Sequence, residues 1–342
     1  MKYREELKTA TPYKLEYLKG IEAVIGRRQT EAAEKRSAYA ADVIANGDAH
    51  REAFKRMLGW PLYDPDRTCP TDLPAATEEL MSEEDGYNIY RVQLEVLPEL
   101  KLQGLLFRQH GEGRRPMVIA QHGGSGTPEL LAGMFGSTHN YNDMLHRILK
   151  QGVHIFAPSL MIWSIYSYDA PFDRNAIDAR LKRVGSSIAA LEIYGIQRAM
   201  DYYQQTDYVK SFGMSGLSYG GFYTLYTSAV DTRIRSAISD AYFNERDRYA
   251  WPDWVFPSSA FLYDDAEIAC LSYPRRLSIQ IGDKDDLFDY RGGEASFARI
   301  KELCREVGTD WIDLTVFDGN HEFYKEDWAI ERLVRDLEEE NV

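Results

Sequence analysis

The stretch that decides how this chain folds is residues 211–221, which read SFGMSGLSYGG. Small and apolar residues lead into the five-residue pattern G-x-S-x-G, whose central residue is Ser218. This pattern is typical of a nucleophile elbow, a sharp turn from a strand into a helix that exposes its serine. The turn needs glycines because its strained backbone leaves little space for neighbouring Cβ atoms. Since five residues match by chance quite often, the surrounding chain has to support the interpretation.

Strand and helix patterns alternate on both sides of this turn. Continuously apolar runs at 117–120 and 153–157 predict buried parallel strands, and 187–205 predicts an amphipathic helix. Between them, a helix is expected to end at Lys150. Further strands are expected at 211–215, 236–239, 277–281 and 311–317, and further helices at 219–230 and 294–307. This order predicts an α/β fold with a mostly parallel, twisted sheet and helices on both faces.

The sequence upstream of this alternation has a different character. Residues 87–97 and 100–109 have the two-residue period of an antiparallel hairpin. Residues 1–85 are predicted to form an N-terminal arm, with helices at 13–46 and 48–58 and a long connection over 64–85. We expect this arm to pack on the main body, residues 86–342, or on a second subunit, which would make a homo-oligomer.

Composition excludes several classes of partner. The chain has 342 residues, 44% of them hydrophobic, and a formal net charge of −14. Nucleic acids and anionic membranes bind basic surfaces, so we expect neither as a partner. No apolar run reaches the ~18 residues of a membrane helix, and the N-terminus lacks the apolar core of a secretory signal. The three cysteines, Cys69, Cys270 and Cys304, have no disulfide or metal spacing, which favours the cytoplasm.

Residues that could act in catalysis follow the expected strands. A serine nucleophile needs a base, and the base needs a carboxylate to orient it. Of the seven histidines only His321 follows Ser218, and it lies in the loop after the last expected strand. We therefore predict Ser218 as the nucleophile and His321 as the base. The acid lies in one loop that carries four candidates: Asp283, Asp285, Asp286 and Asp289.

A tetrahedral intermediate also needs two hydrogen-bond donors for its oxyanion. We expect one to be the backbone N–H of Tyr219, and the other to come from the glycines after His122, with Gly124 preferred. His122 itself is expected to brace this loop. Glu192 and Arg198, on the helix before the elbow, are interpreted as surface or bracing residues.

Two aromatic insertions interrupt the alternation, one at 160–183, which is expected to be irregular, and one at 242–263. One interpretation is that their apolar side chains fill a cap that packs against the sheet. The other is that they form the walls of a pocket for an acyl group or a sugar. The candidate pocket residues are Trp163, Tyr166, Trp251 and Trp254.

These motifs resemble those of the α/β-hydrolase superfamily, and more narrowly its dienelactone hydrolase and acetyl xylan esterase-like branch. The similarity spans residues 94–333 and is strongest in the segments AQHGGSG (120–126), GLSYGGFYTLY (216–226), IGDKDDLF (281–288) and FDGNHEF (317–323). The fourth residue of the family's G-x-x-D loop is its acid, which implies Asp285 here, with Asp283 as the second choice. The resemblance also implies a serine esterase that uses no metal and no cofactor. Serine in place of cysteine argues against true dienelactone hydrolase chemistry.

The leading hypothesis is therefore a serine hydrolase that cleaves a small or carbohydrate-linked carboxylic ester through an acyl-enzyme. A small-molecule ester is the expected partner. Two alternatives stay open: a peptidase with the same three residues, and a non-catalytic binding protein on the same fold.

Overall fold

A nine-stranded sheet forms the centre of the chain in a computed structural model that describes residues 2–163, 172–249 and 251–339. The strands are β1 (Ala76–Glu83), β2 (Tyr87–Leu97), β3 (Leu100–Gln109), β4 (Arg115–Gln121), β5 (His154–Ser159), β6 (Val209–Leu217), β7 (Ile234–Asp240), β8 (Arg276–Gly282) and β9 (Ile312–Phe317). Their spatial order is β1-β2-β3-β5-β4-β6-β7-β8-β9. Six strands are parallel to one another, in the spatial order β5, β4, β6, β7, β8 and β9. The other three, β1, β2 and β3, pair antiparallel, and β3 joins them to β5. The predicted fold class and the predicted hairpin, formed by β2 and β3, are confirmed.

Helices cover both faces of the sheet. They are α1 (Thr11–Tyr39), α2 (Gly47–Leu58), α3 (Pro128–Leu131), α4 (Met144–Leu149), α5 (Arg174–Lys182), α6 (Ile188–Gln204), α7 (Tyr219–Val230), α8 (Asp265–Cys270), α9 (Tyr290–Leu303) and α10 (Trp328–Glu338). Because strand side chains alternate, β4 sends Met117 and Ile119 into the core under α6 and α7. Val118 and Ala120 enter a second core, under α4 and α10. Among the described residues, no helix is both long and apolar enough to cross a bilayer.

Three local expectations were wrong. The expected connection at 64–85 contains β1, which pairs with β2 and extends the sheet upstream of residue 86. The expected helix ending at Lys150 is broken into α3 and α4, because Gly133 and Gly136 have φ of 67° and 89°, which a right-handed helix excludes. The first aromatic insertion, expected to be irregular, contains α5. Asp173 caps this helix by accepting a hydrogen bond from the Ala176 N–H.

The N-terminal arm contacts the body through α2 and through the C-terminal half of α1. α2 buries Phe54, which packs edge-on against the rings of Tyr226 and Tyr263. On α1, the Arg36 guanidinium lies 3.4 Å from Asp264 and 3.5 Å from Glu267. In the N-terminal half of α1 the apolar side chains are exposed: Tyr13, Leu15, Tyr17, Leu18, Ile21, Val24 and Ile25.

His154, at the start of β5, is a neutral histidine in the sheet. Its Nδ1 accepts the Gln109 N–H at 3.0 Å, so Nε2 carries the proton and donates to the Tyr208 carbonyl at 3.2 Å. Burial lowers the pKa of His154 to about 4, and the positive charges of Arg108 and Arg115 contribute to the shift. Protonation at Nδ1 would remove the hydrogen bond from Gln109.

This arrangement predicts acid sensitivity. In the unfolded chain the pKa of a histidine is about 6.5, so between pH 6.5 and 4 the unfolded state binds the proton and the folded state does not. Stability should therefore fall as the pH drops through this window, by about 3 kcal/mol in total from His154. Urea unfolding of His154→Gln at pH 7.0, 5.5 and 4.5 should show a shallower loss than the unsubstituted protein. The exposed His110→Gln is the matched control, and parallel curves for His154→Gln and the unsubstituted protein would contradict the assignment.

Candidate active site

Ser218 occupies the turn between β6 and α7, where the backbone takes φ 61° and ψ −119°. A residue other than glycine rarely adopts such a positive φ, and this conformation persists only where the surrounding structure holds it. Here the Ser218 N–H donates to the carbonyl of Asp240 at 2.9 Å, and the Ser218 carbonyl accepts the Phe222 N–H at 2.9 Å. The side chain is 8% exposed, so it reaches the surface of a closely packed site.

The glycines around Ser218 are required by contacts between backbones. A Cβ on Gly216 would collide with the backbone of Gly220, and a Cβ on Gly220 would collide with the carbonyl of Gln121. The turn therefore presses the start of α7 against the end of β4. This close approach is the physical reason for the G-x-S-x-G pattern in this chain.

His321 and Asp285 lie side by side after the neighbouring strands β9 and β8. The Nδ1 of His321 is 2.8 Å from Oδ2 of Asp285, whose side chain is fully buried. The other oxygen of Asp285 accepts the N–H groups of Leu287 and Phe288, at 2.8 and 2.9 Å. With its proton on Nδ1, the imidazole presents an unprotonated Nε2, which is the arrangement that a general base needs.

The other acidic residues of this loop have different partners. Asp283 is exposed, and its Oδ1 accepts the Gly319 N–H at 3.2 Å. Asp286 is also exposed. Asp289 caps α9 and pairs with Arg291 at 2.9 Å. The structure thus brings Asp285, rather than the second choice Asp283, to His321.

Further contacts hold the His321 loop in place. The ring of Phe288 stacks on the imidazole, with centroids 5.7 Å apart and an interplanar angle of 28°. Asn140 donates to the His321 carbonyl at 3.0 Å and accepts the Phe323 N–H at 2.8 Å. Asn140 belongs to the segment that replaces the expected long helix, so the break in that helix supplies a brace for the histidine.

A buried carboxyl group, Asp240, connects the elbow to the same loop. Its carbonyl accepts the Ser218 N–H, and its Oδ2 accepts the Tyr324 N–H at 2.9 Å. Its Oδ1 has no hydrogen-bond partner within the described part of the chain. Burial raises the pKa of Asp240 well above its usual range, and the nearby charge of Asp285 raises it further. This shift favours the neutral form of Asp240, which reduces the repulsion between the two neighbouring carboxyl groups.

Within the described part of the chain, two backbone N–H groups near Ser218, those of Gly124 and Tyr219, are available to a ligand. The other donors of the glycine loop are occupied: Gly123 donates to the Tyr141 hydroxyl at 2.7 Å and Ser125 donates to the Trp163 carbonyl at 2.8 Å. The Gly124 N–H has no partner within residues 2–163, 172–249 and 251–339. Tyr219 is the first residue of α7, so its N–H has no acceptor within the helix.

His122 braces the glycine loop through both ring nitrogens. Its Nε2 accepts the Leu160 N–H at 3.1 Å, and its Nδ1–H donates to the Gly123 carbonyl at 3.0 Å. The ring is buried, and burial lowers its pKa, which keeps it neutral. These contacts leave neither nitrogen free to carry a proton to a substrate.

A cleft of about 450 Å³ opens on the Tyr219 side of the elbow. Trp163, which is 41% exposed, packs on Gly124, and the ring of Trp251 stacks on Tyr219 with centroids 5.8 Å apart. Trp254 is only 3% exposed and lies beneath Trp251, so it is a core residue rather than a cleft residue. The remaining lining residues are Phe172, Asp173, Arg174, Asn175, Pro252 and Asp253. Tyr166 lies outside the described residues.

Sequence reasoning missed the polar residues of this cleft. Arg174 and Asp253 form a buried ion pair at 2.7 Å, and Glu192 lies 3.1 Å from the same arginine. Glu192 was expected to be a surface or bracing residue, and the structure makes it a brace. The only signal for this ion pair in the sequence was a basic residue in one aromatic-rich insertion and an acidic residue in the other. Across the described residues, no cluster of three or more His, Cys, Asp or Glu side chains is arranged to hold a metal ion.

Comparison by sequence gives no relative. No protein-family model matches the chain, and no curated protein matches it.

Comparison by structure gives many matches. A glucuronoyl esterase from Solibacter usitatus matches with a TM-score of 0.60 and 15% identity, over 84% of this chain and 92% of that one. Acetyl xylan esterase 1 from Thermoanaerobacterium sp. JW/SL YS485 matches with a TM-score of 0.56 and 13% identity, over 85% and 93% of the two chains. A cold-adapted esterase from an Arctic intertidal metagenomic library matches with a TM-score of 0.53 and 16% identity, over 75% and 97%.

These three matches cover 75% to 85% of this chain. They confirm the resemblance inferred from the motifs. The chain has the α/β-hydrolase fold, and these structural neighbours are carboxylic esterases.

Proposed function

We propose that this chain is a serine hydrolase that cleaves carboxylic esters through an acyl-enzyme. The observation that carries the proposal is the 2.8 Å contact between His321 and the buried Asp285, at the same edge of the sheet as Ser218. The strained turn at Ser218 and the N–H groups of Gly124 and Tyr219, which have no partner among the described residues, supply the other two parts of such a site. The esterase names of the structural neighbours support the same reaction class.

In the first half of the reaction, the Ser218 hydroxyl oxygen bonds to the ester carbonyl carbon and its proton passes to Nε2 of His321. The electron pair of the carbonyl moves onto its oxygen, where the N–H groups of Gly124 and Tyr219 stabilise the negative charge. When the carbonyl reforms, the bond to the alcohol oxygen breaks and the alcohol takes the proton from His321. Asp285 stabilises the imidazolium ion and fixes its orientation throughout.

In the second half, water attacks the acyl-enzyme and gives its proton to His321. The bond to Ser218 breaks, the serine oxygen recovers the proton, and the carboxylic acid leaves. The protein returns to its starting state, so one reaction cycle consumes one ester and one water and needs no other reactant.

The cleft favours a small acyl group and an alcohol that carries a ring. Trp163 packs directly on Gly124, which limits the space beside the proposed oxyanion donor. The faces of Trp163 and Trp251 offer flat apolar surfaces, while Asp173 and Asn175 add polar groups to the lining. Two of the neighbours are named for esters of carbohydrates, so we propose a small-acyl or carbohydrate-linked ester as the substrate.

Labelling with a fluorophosphonate probe tests the nucleophile. The probe should attach to the unsubstituted protein and not to Ser218→Ala, because the probe forms its bond with an activated serine oxygen. Ser228→Ala is the matched control, since Ser228 is a buried serine at the opposite end of α7. Persistent labelling of Ser218→Ala, mapped by mass spectrometry to another residue, would overturn the assignment.

Substrate class is tested with p-nitrophenyl esters of increasing acyl length, acetylated sugars and a peptide panel. We expect the highest kcat/KM with two- to four-carbon acyl groups, and no cleavage of peptides. Faster cleavage of peptides than of every ester would favour a peptidase instead.

The acid is tested by comparing Asp285→Asn with Asp283→Asn. Asp285→Asn should lower kcat by roughly 10³- to 10⁴-fold, because an amide cannot hold the Nδ1–H tautomer of His321 or stabilise its positive charge. Asp283→Asn changes an exposed side chain that accepts one backbone N–H, and kcat should stay within about threefold. Equal losses in the two variants would contradict the assignment.

A further inference from the structure

Arg174 is a buried arginine outside the proposed triad, and its hydrogen bonds are saturated. It is the first residue of α5 and its side chain is 4% exposed. All five N–H donors of its guanidinium have an acceptor. Nε donates to Asp253 at 2.7 Å, and Nη1 donates to the Met161 carbonyl at 2.6 Å and to Glu192 at 3.3 Å. Nη2 donates to Glu192 at 3.1 Å and to the Tyr223 hydroxyl at 2.7 Å. No donor is left for a substrate, so the role of Arg174 is to hold protein groups.

One set of these contacts leads to Gly124. The Met161 N–H donates to Glu192 at 2.7 Å, so the Arg174–Glu192 pair fixes both backbone groups of Met161. Two residues later, the carbonyl of Trp163 accepts the Ser125 N–H at 2.8 Å. The indole of Trp163 covers Gly124 so closely that a Cβ there would lie 2.6 Å from its Cζ2.

A second set of contacts leads to Tyr219. Asp253 accepts from Arg174 and also from the Tyr219 hydroxyl, at 3.1 and 3.3 Å. The guanidinium carbon of Arg174 lies 5.4 Å from the centroid of the Tyr219 ring. Burial raises the pKa of the Tyr219 phenol above its ordinary value, and the charge of Asp253 raises it further, so the phenol keeps its proton and remains a donor.

We propose that Arg174 is a positioning residue that sets both oxyanion donors at once: Gly124 through Met161 and Trp163, and Tyr219 through Asp253. The inference rests on the proposed function, because it takes the N–H groups of these two residues as the oxyanion donors. Arginine suits this role better than lysine, since its planar fork fixes five directions whereas an ammonium group offers three rotatable donors.

The position of Arg174 in the fold explains why the two sets of contacts meet there. α5 lies in the first aromatic insertion, Asp253 lies in the second, and Glu192 lies on α6, between the two insertions in the sequence. Arg174 therefore links two loops that are far apart in the sequence. Its charge is balanced by two carboxylates with 10% and 2% exposure, so salt in the solvent screens these contacts weakly.

The test compares Arg174→Lys with Arg180→Lys, which makes the same change at an exposed position of the same helix. Removing one oxyanion donor costs roughly 10²- to 10³-fold in kcat, so misplacing two should lower kcat by about 10- to 100-fold in Arg174→Lys. KM should change by less than about threefold, and the Ki of a boronic acid that forms a tetrahedral adduct with Ser218 should rise in proportion to the loss of kcat. Arg180→Lys should change none of these values.

A role in stability alone would give a different result. It would lower the unfolding temperature and leave kcat and the boronic acid Ki of the folded fraction unchanged, and that outcome would overturn the proposal. If Arg174→Lys does not fold, Asp253→Asn and Tyr219→Phe test the second set of contacts. Each should lower kcat by about tenfold and weaken boronic acid binding in proportion, and unchanged values in both would also overturn the proposal.

Hydrogen exchange separates this inference from the proposed function, because it needs no substrate. Exchange in segments 121–126 and 217–222 should be faster in Arg174→Lys than in Arg180→Lys. If the unsubstituted protein cleaves no ester but exchange accelerates, the proposed function fails while the link from Arg174 to both segments stands. If the protein is an esterase and neither exchange nor kcat changes, the inference fails while the proposed function stands.

Discussion

The backbone at Ser218 is the constraint on which the rest of the site depends. A φ of 61° at a non-glycine residue costs of the order of 1–3 kcal/mol, and neighbouring strands hold it there. The Ser218 N–H is fixed by the carbonyl of Asp240 on β7, while Gly220 presses on the end of β4. Because three adjacent parallel strands end at this turn, any change in their register would move the serine. The sheet therefore acts as the support for one strained residue.

The electrostatics of the site follow from the different numbers of hydrogen-bond donors that reach two buried aspartates. Asp285 is buried but receives two backbone N–H groups and the imidazole of His321, so its negative charge is well solvated by the protein. Asp240 receives one N–H, from Tyr324, and burial raises its pKa well above its usual range. If both were ionised, their repulsion would oppose the charge on which the orientation of His321 depends. The fold gives the two carboxyl groups different numbers of donors, which favours a negative charge at Asp285 more than at Asp240.

Much of this site follows from local patterns, and the rest depends on distant contacts. The elbow at Ser218 and the histidine loop have short motifs at strand ends, which is why the sequence predicts them together. The choice of Asp285 over Asp283 came from the resemblance, since spacing alone left four acids in one loop. Arg174 has no motif: its partners lie 13, 18, 49 and 79 residues away, and no periodicity connects them. The expected long helix was wrong for a related reason. The segment that interrupts it contains Asn140, which donates to the carbonyl of His321, a residue far away in the sequence.

The buried position of Arg174 has a consequence for how such proteins change over time and in the laboratory. Loops around an active site are often treated as exchangeable parts that can be replaced one by one to alter selectivity. Here the insertion at 160–183 carries the cation and the insertion at 242–263 carries one of its counter-ions, Asp253. Replacing either loop alone would leave a buried charge without its partner, which costs about 3–5 kcal/mol. The two loops should therefore be inherited, and engineered, as a single unit.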